Sequence, residues 1–491
     1  MHPLKAPVAL WPYVVLFILG LTVYRAWILA GSGLTLSVDE AYYWGWAQQL
    51  DWGYYSKPPM IAWVIAFTTG LCGDGLLCVK LGSFIAWPIT SVLLYLIGRR
   101  LGGEVFGAVS AVVFITLPGV TLSAVLISTD VMLFLWWTLA FWALLRALES
   151  NAWRDWLLLG LAGGLGLLSK YTMGVFALSL MLYLLWEPTV RSQWRNPRLY
   201  AAGILAALIL SPNLWWNLAH DFPTLRHTAD ISNLENAGLH WDELGEFLGG
   251  QFAVFGPLFF VLLWIAISVF LSAREPRKRL LMAFTLPFLF IIALQALLGR
   301  ANANWAAPAY VAGTLLVMLW LFEGRRVKLG LIALGLNLLL MFGAYHFPAL
   351  SSVLGIEPSN RSDPYKRVRG WDRLAAAFDA YRARYPDARL LSDDRGLLAE
   401  LIYYGQPHPF EAFSWNPNRE LRHHYDLKAT LSPEEGGRFL LVTDRQDPLA
   451  DVHAAFTQVE RLGPLHVDIH RDYALDYTVW LLERPVGAGG R

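Results

Sequence analysis

The stretch SVDEAYYWGWAQQLDWGYYSKPP, Ser37 to Pro59, sets two adjacent acids, Asp39 and Glu40, ahead of a dense run of aromatics. It ends on Lys57 followed by two prolines. Paired carboxylates can act as general base and acid, or hold a polar substrate. An ionised acid in hydrocarbon costs about 2.5–3.5 kcal/mol, so one beside a long apolar run is a candidate for function. The competing reading is a solvated acidic cap beyond a helix end. A third acid, Asp130 in LISTD, opens the apolar run VMLFLWW. Alone it reads as a first-turn acid beside a favourable helix dipole. With Asp39 it suggests two acids at matching depth around a shared cavity. Lys57 is kept extended by Pro58, and Pro59 suits the first turn of a following helix. A cation at a helix N-terminus is good chemistry for a phosphate, although an interfacial lysine can also snorkel.

Further polar groups close other apolar runs. Lys170 in LLSKY and Arg300 in GRANANW can each snorkel, or can surround a phosphate together with Lys57. Asn302 and Asn304 accompany Arg300. His220, Asp221 and His227 share the loop WWNLAHDFPTLRHT, whose spacing matches no strong metal motif. These histidines read as loop groups or substrate hydrogen-bonding groups. The aromatics Tyr42, Tyr43, Trp44, Trp46, Trp52, Tyr54 and Tyr55 read mostly as an interfacial belt. A minority, with Tyr43 and Tyr55 as candidates, would stack on a sugar or line a lipid groove. Cys72 and Cys78 flank a Gly-Asp-Gly turn, and their spacing alone does not predict a disulfide.

These groups need a membrane scaffold to position them. The chain is 56% hydrophobic and 16% charged, against about 25% charged in soluble proteins. Its net charge of +1 gives no sign of nucleic-acid binding, and two cysteines make no disulfide framework. The first apolar run, Val8 to Ala30, follows Lys5 and is long enough to be an uncleaved first span. Spanning runs recur to about His346, and from Pro348 the chain turns charged. Lysine and arginine counts predict about eleven spans, with Pro59 to Cys72 as a non-spanning helix on the outer face. Roughly fifteen basic residues then lie inside, against roughly four outside. The candidate site and the C-terminal part both face away from the cytoplasm. A membrane domain over 1–348 and a mixed α/β domain over 349–491 are expected. WDRLAAAFDAYRARYP and RGLLAELIYYG read as helices, and ARLLSDD, GRFLLVTD and YTVWLLERP as strands.

An acidic pair after the first span, an aromatic outer loop and then Tyr-x-Lys-Pro-Pro resembles the signature of glycosyltransferase family 39. These are the polyprenyl-phosphate-sugar transferases that include protein O-mannosyltransferases and lipid A aminoarabinose transferases. Ser128 to Asp130 and Leu167 to Thr172 match in order and placement. The resemblance implies a polytopic α-helical protein of GT-C type in the bacterial inner membrane, using a lipid-linked sugar donor on the periplasmic side. It implies Asp39 as the catalytic acid-base residue and Lys57 as the donor-phosphate ligand. Some members carry an acid immediately before that lysine, where this chain has Ser56. A metal contact through that acid is therefore not carried over.

The expected chemistry is inverting sugar transfer from a polyprenyl phosphate to an envelope acceptor, which is lipid A, lipopolysaccharide, another glycan or a protein. Asp39, with Glu40 and Asp130, would supply acid-base groups. Lys57, Lys170 and Arg300 would stabilise the departing phosphate without a required metal. Tyr43, Tyr55, His220 and Asn304 would contact substrate. The alternatives are a transporter or flippase of a lipid-linked sugar, and a membrane scaffold.

Overall fold

The structure, a computed structural model, describes residues 9–232, 238–432, 434–445 and 450–484. Lys5 and Val8, which anchor the orientation and the first apolar run, lie outside the described residues. The chain forms two compact units. One comprises Met1–Ile28, Lys57–Val64 and Lys80–Tyr345, and the other Leu29–Ser56, Ile65–Val79 and His346–Arg491. A division after residue 348 follows the composition of the chain. Packing also groups residues 29–56 and 65–79 with the C-terminal part.

The first unit is helical because its apolar runs satisfy their backbone groups internally, as a hydrocarbon environment demands. Among the described residues, six helices are long and apolar enough to cross a membrane: Trp11–Gly31, Leu76–Gly102, Thr129–Ser150, Pro197–Ala219, Pro276–Leu298 and Val327–Tyr345. Two bent pairs, Tyr171–Trp186 with Pro188–Arg195 and Trp241–Val254 with Pro257–Phe270, raise the number to eight if each is one span. A proline just past each break, Pro188 or Pro257, cannot continue the backbone ladder. Met60–Cys72 has 13 residues and rises only about 20 Å, short of a hydrocarbon core of about 30 Å.

Thr129–Ser150 and Trp153–Ser169 form an antiparallel helical hairpin. Asn151 takes a left-handed conformation (φ 49°) and stops the first helix. The buried Asp155 carboxylate then staples the turn, accepting from Arg146 Nε at 2.8 Å and Ser150 Oγ at 2.7 Å. The second helix lies close against Pro197–Ala219. A Cβ on Gly160 would stand 2.5 Å from the Ala202 carbonyl oxygen, the close approach that small residues permit.

The second unit carries a five-stranded sheet with spatial order β2-β1-β3-β5-β4. Its strands are β1 (Arg389–Ser392), β2 (Phe413–Ser414), β3 (Gly437–Thr443), β4 (Gln458–His470) and β5 (Tyr473–Arg484). β1 runs parallel to β2 and β3, whereas β5 is antiparallel to β3 and β4. One sheet face buries Leu391, Phe439, Leu441, Trp480 and Leu482 with Trp415 and Phe456. The helices Trp371–Arg384 and Arg395–Tyr404 accompany the sheet. The latter starts where Asp394 Oδ1 accepts from the Leu397 N–H at 2.6 Å, an N-cap.

Two expectations change in this unit. Cys72 and Cys78 are joined as a disulfide, their Cα atoms 5.9 Å apart. The Gly-Asp-Gly turn folds the chain back far enough for the short separation to close. The aromatics after Glu40 are not an interfacial belt. Tyr42, Tyr43, Trp44, Trp46, Tyr54 and Tyr55 are all buried, and only Trp52 is exposed. Trp46 stacks on Tyr54 at 4.6 Å, and Trp44 meets Tyr403 edge-on at 4.9 Å. Trp44 also donates its indole N–H to Asp74 Oδ1 at 2.7 Å, and Tyr403 donates to the Asp74 carbonyl at 2.5 Å. Such rings are amphipathic, and the polar atoms of Trp44 and Tyr403 find partners in folded protein rather than in headgroups.

Candidate active site

In the second unit, the candidate acids sit at the start of the helix Val38–Ala47. Ser37 is its N-cap. The Ser37 backbone N–H donates to Glu40 Oε2 at 2.9 Å, and the Glu40 N–H reaches Ser37 Oγ at 3.4 Å. This reciprocal pair is a capping box. It explains why two acids stand side by side: Glu40 closes the helix end and is buried, at 1% exposure, while Asp39 points outward. The Asp39 side chain is 58% exposed, and its Oδ1 lies 3.1 Å from Nη1 of Arg395. The Arg395 guanidinium also sits over the Tyr42 ring, 5.0 Å from its centroid. Burial alone would make Arg395 easier to deprotonate. Asp39, Tyr42 and Tyr43 outweigh that effect and hold its pKa above the ordinary value.

Neighbouring groups complete this corner. The Tyr42 hydroxyl accepts from the His424 N–H at 2.5 Å. His423 is pushed down to about 4, first by burial and then by Arg422 and Arg395, against the opposing pull of Asp426. Tyr55 donates its hydroxyl to the Leu421 carbonyl at 3.1 Å, and Tyr43 packs on Trp46 at 5.0 Å. Both tyrosines are therefore packing groups and offer almost no surface to a substrate, contrary to the stacking role expected for them.

In the first unit, the hairpin brings Asp130 and Lys170 together. Asp130 lies in the first turn of one helix and Lys170 caps the end of its antiparallel partner. Lys170 Nζ donates to Asp130 Oδ1 at 2.6 Å, and Asn304 Nδ2 donates to Oδ2 at 2.8 Å. Neighbouring residues fix each member. Tyr171 donates to Asn213 Oδ1 at 2.6 Å and accepts from Asn217 Nδ2 at 3.0 Å. The segment entering Asp130 is held by the buried Lys80, whose Nζ donates to the Val125 carbonyl at 3.1 Å. Ser83, nearly one turn later, holds the Leu126 carbonyl. The Ala303–Ala306 turn carrying Asn304 is gripped by Gln251, whose Nε2 donates to the Ala303 carbonyl at 3.1 Å. The Tyr310 hydroxyl in turn donates to Gln251 Oε1 at 2.6 Å.

The other candidates are His220, Arg300 and Lys57. His220 Nδ1 is 2.8 Å from the Trp216 carbonyl, and its ring stacks on Trp216 at 4.2 Å. It is occupied in closing its own helix. Arg300 is exposed, and its backbone N–H donates to Ser232 at 3.0 Å. Lys57 is half-buried immediately before Pro58. The Pro59 carbonyl accepts from the Trp63 N–H at 3.2 Å, so the lysine does precede a helix N-terminus. Among the described residues, no three His, Cys, Asp or Glu side chains gather in a metal-holding arrangement. Sequence reasoning missed Arg395, Lys80 and Gln251. The Lys80 signal, a lysine inside an otherwise apolar run, was present.

Comparison with known proteins settles the family. Residues 56–216 match the family model described as dolichyl-phosphate-mannose-protein mannosyltransferase. The lipid A galacturonosyltransferase RgtD of Rhizobium johnstonii is 34% identical over 441 residues, spanning 87% of this chain and 90% of that protein. The chain belongs to glycosyltransferase family 39. It is a multi-pass membrane glycosyltransferase, and the transporter and scaffold readings give way. A second relative is the undecaprenyl phosphate-α-4-amino-4-deoxy-L-arabinose arabinosyl transferase 1 of Pseudomonas fluorescens. It is 28% identical over 224 residues, covering 43% of this chain and 40% of that one. The apo crystal structure of ArnT from Cupriavidus metallidurans superposes with a TM-score of 0.64 at 14% identity. The match covers 96% of this chain and 98% of that one, and it shows the GT-C fold.

Proposed function

We propose that this transferase moves a sugar from a polyprenyl-phosphate carrier to lipid A or lipopolysaccharide at the periplasmic face of the bacterial inner membrane. The names of its two relatives support the acceptor and the donor respectively. The observation that carries the chemistry is the exposed Asp39 carboxylate. Arg395 stands 3.1 Å from Oδ1, and the Asp39 side chain is open to solvent. Asp39 accepts the proton of the acceptor's nucleophilic oxygen. That oxygen attacks the anomeric carbon opposite the carrier phosphate. The bond from that carbon to the phosphate oxygen breaks, the electron pair leaves with the polyprenyl phosphate, and the sugar configuration inverts. Lys57, with the exposed Arg300, stabilises the departing phosphate. Asp130 holds Lys170 and Asn304 for polar groups of the substrate. Glu40 is a structural cap in this reading.

The orientation is supported by the Cys72–Cys78 disulfide, which suits an oxidising compartment. The test is turnover by purified wild-type, Asp39→Asn and Lys57→Ala proteins, supplied with polyprenyl-phosphate sugars and envelope lipids. Transfer by wild type and strong loss in both folded variants is the expected result. Undiminished turnover in folded Asp39→Asn would remove the proposed base.

A further inference from the structure

We infer that a cleft in the second unit binds the phosphate monoester of a membrane lipid's headgroup. The cleft has a volume of about 330 Å³ and is lined by Asp363, Arg369, Gly370, Arg373 and His470 among others. Its wall is built around one buried acid. Asp363 is 1% exposed. Its Oδ1 accepts from the Tyr365 N–H at 2.8 Å, and its Oδ2 accepts from Arg369 Nε at 2.9 Å and lies 2.8 Å from His470 Nε2. The acid is matched inside the wall, so the wall turns donors toward the cleft. Among the described residues, the two terminal nitrogens of Arg369 have no hydrogen-bond partner. Nor has His470 Nδ1, although that side chain is only 10% exposed. In its charged form the ring donates from both nitrogens, and a phosphate oxygen at Nδ1 satisfies the second. Asp372 also lines the cleft, but it is exposed to solvent.

The helix Trp371–Arg384 begins at this cleft. Its N-cap is Gly370, in a left-handed conformation (φ 82°), with no side chain to cap the first turn. A Cβ there would meet Ile469 Cδ1 and stand 3.4 Å from Arg373 Nη2. Glycine thus leaves the first-turn N–H groups open and Arg373 close beside them. Arg373 Nη2 donates to the Asp468 carbonyl at 3.0 Å, which steadies the guanidinium. Two guanidinium groups, a ring nitrogen and a helix N-terminus suit the three oxygens and near-double charge of a phosphate monoester. Chain connectivity sets the depth. Gly33 and Phe347 line the same cleft. Each follows by two residues the end of a helix apolar enough to span, Trp11–Gly31 or Val327–Tyr345. Two residues reach at most about 7 Å, which favours a headgroup over a free solute.

The test is calorimetric titration of the full-length purified enzyme in neutral detergent. Every protein carries Lys57→Ala, so that the donor-phosphate ligand proposed above does not compete. The probes are dioctanoyl phosphatidic acid, a monoester, dioctanoyl phosphatidylglycerol, a diester, and inorganic phosphate. Phosphatidic acid should bind at least about 10-fold more tightly than either of the others, the lower bound for a hydrogen bond to a charged group. Arg369→Met should weaken its binding roughly 10- to 150-fold, and Arg373→Met about 10-fold. Arg373 is exposed, so its variant decides the matter even if Arg369→Met folds poorly. Equal affinity for monoester and diester, or for inorganic phosphate, would overturn the inference. Unchanged affinity in Arg373→Met would do the same. The titration needs no turnover, so its outcome is independent of the transferase reading.

Discussion

Gly250 offers a direct way to disturb the Asp130 cluster without touching a polar atom. It lies in the helix Trp241–Val254, and a Cβ there would stand 2.5 Å from Cβ of Ala303. Carbon atoms in comfortable contact sit about 3.5–4.0 Å apart, so Gly250→Ala must push the Ala303–Ala306 turn away by about 1 Å. Gln251 and Tyr310 restrain the turn from the same side, and a simple pivot is not available. Asn304 rides on this turn, 2.8 Å from Asp130, and the same displacement carries its amide to about 3.8 Å, beyond hydrogen-bond reach. A hydrogen bond to a charged group contributes about 1.5–3 kcal/mol. The expected fall in kcat/KM is therefore roughly 10- to 150-fold. Stability should change less, since alanine gains about 1 kcal/mol in a helix while overpacking costs about 1–3 kcal/mol. Steady-state transfer by purified Gly250→Ala, Asn304→Ala and the double variant tests the argument. Both substitutions remove one contact, so the double variant should be no worse than the weaker single one. Wild-type rates in Gly250→Ala, or losses that multiply in the double variant, would refute the reasoning.

Other outcomes follow from the same geometry. Ser37→Ala removes the N-cap and should lower stability by about 1 kcal/mol, read as a drop in Tm; an unchanged Tm would count against the capping box. His423 is held near 4 from an ordinary value of 6.5, so the native state binds fewer protons than the unfolded state between those values. Its contribution is complete above pH 6.5 and is lost as pH falls toward 4, up to about 3 kcal/mol. Denaturation at pH 7 and pH 4.5 should show a smaller pH effect in His423→Asn than in wild type, and equal pH effects would contradict it. Protein isolated without reductant should give no maleimide adduct at Cys72 or Cys78 until it is reduced. Labelling before reduction would refute the pairing.

Much of the fold was legible because its signals are local. Long apolar runs gave the membrane helices, and periodicity gave both helices and three strands of the C-terminal part. The two-residue β2 is too short for a pattern, and β4 alternates weakly, with a register shift between Arg461 and Gly463. The site was legible by residue type and less so by role. Asp39 and Glu40 look equivalent as a pair, yet S-x-x-E at Ser37 to Glu40 is itself a capping-box pattern and separates them. The aromatic run misled because interfacial and core aromatics share a composition; only their partners, Asp74, Tyr403 and His424, distinguish them. The Asp130–Lys170 pairing follows from the hairpin turn at Asn151. Arg395 lies too far along the chain for spacing to connect it with Asp39.

That separation has a consequence for how the protein is made. The hydroxyl to which Leu36 donates belongs to Tyr404, 368 positions further on. At a synthesis rate of about 5–20 residues per second, the two are born roughly 20 to 70 seconds apart. Until then the Val38–Ala47 helix waits with Tyr42 and Trp44 uncovered and Asp39 without its arginine. The Asp39–Arg395 pair is assembled near the end of biosynthesis. A chain truncated before Arg395 would carry its apolar spans and lack the Asp39–Arg395 ion pair.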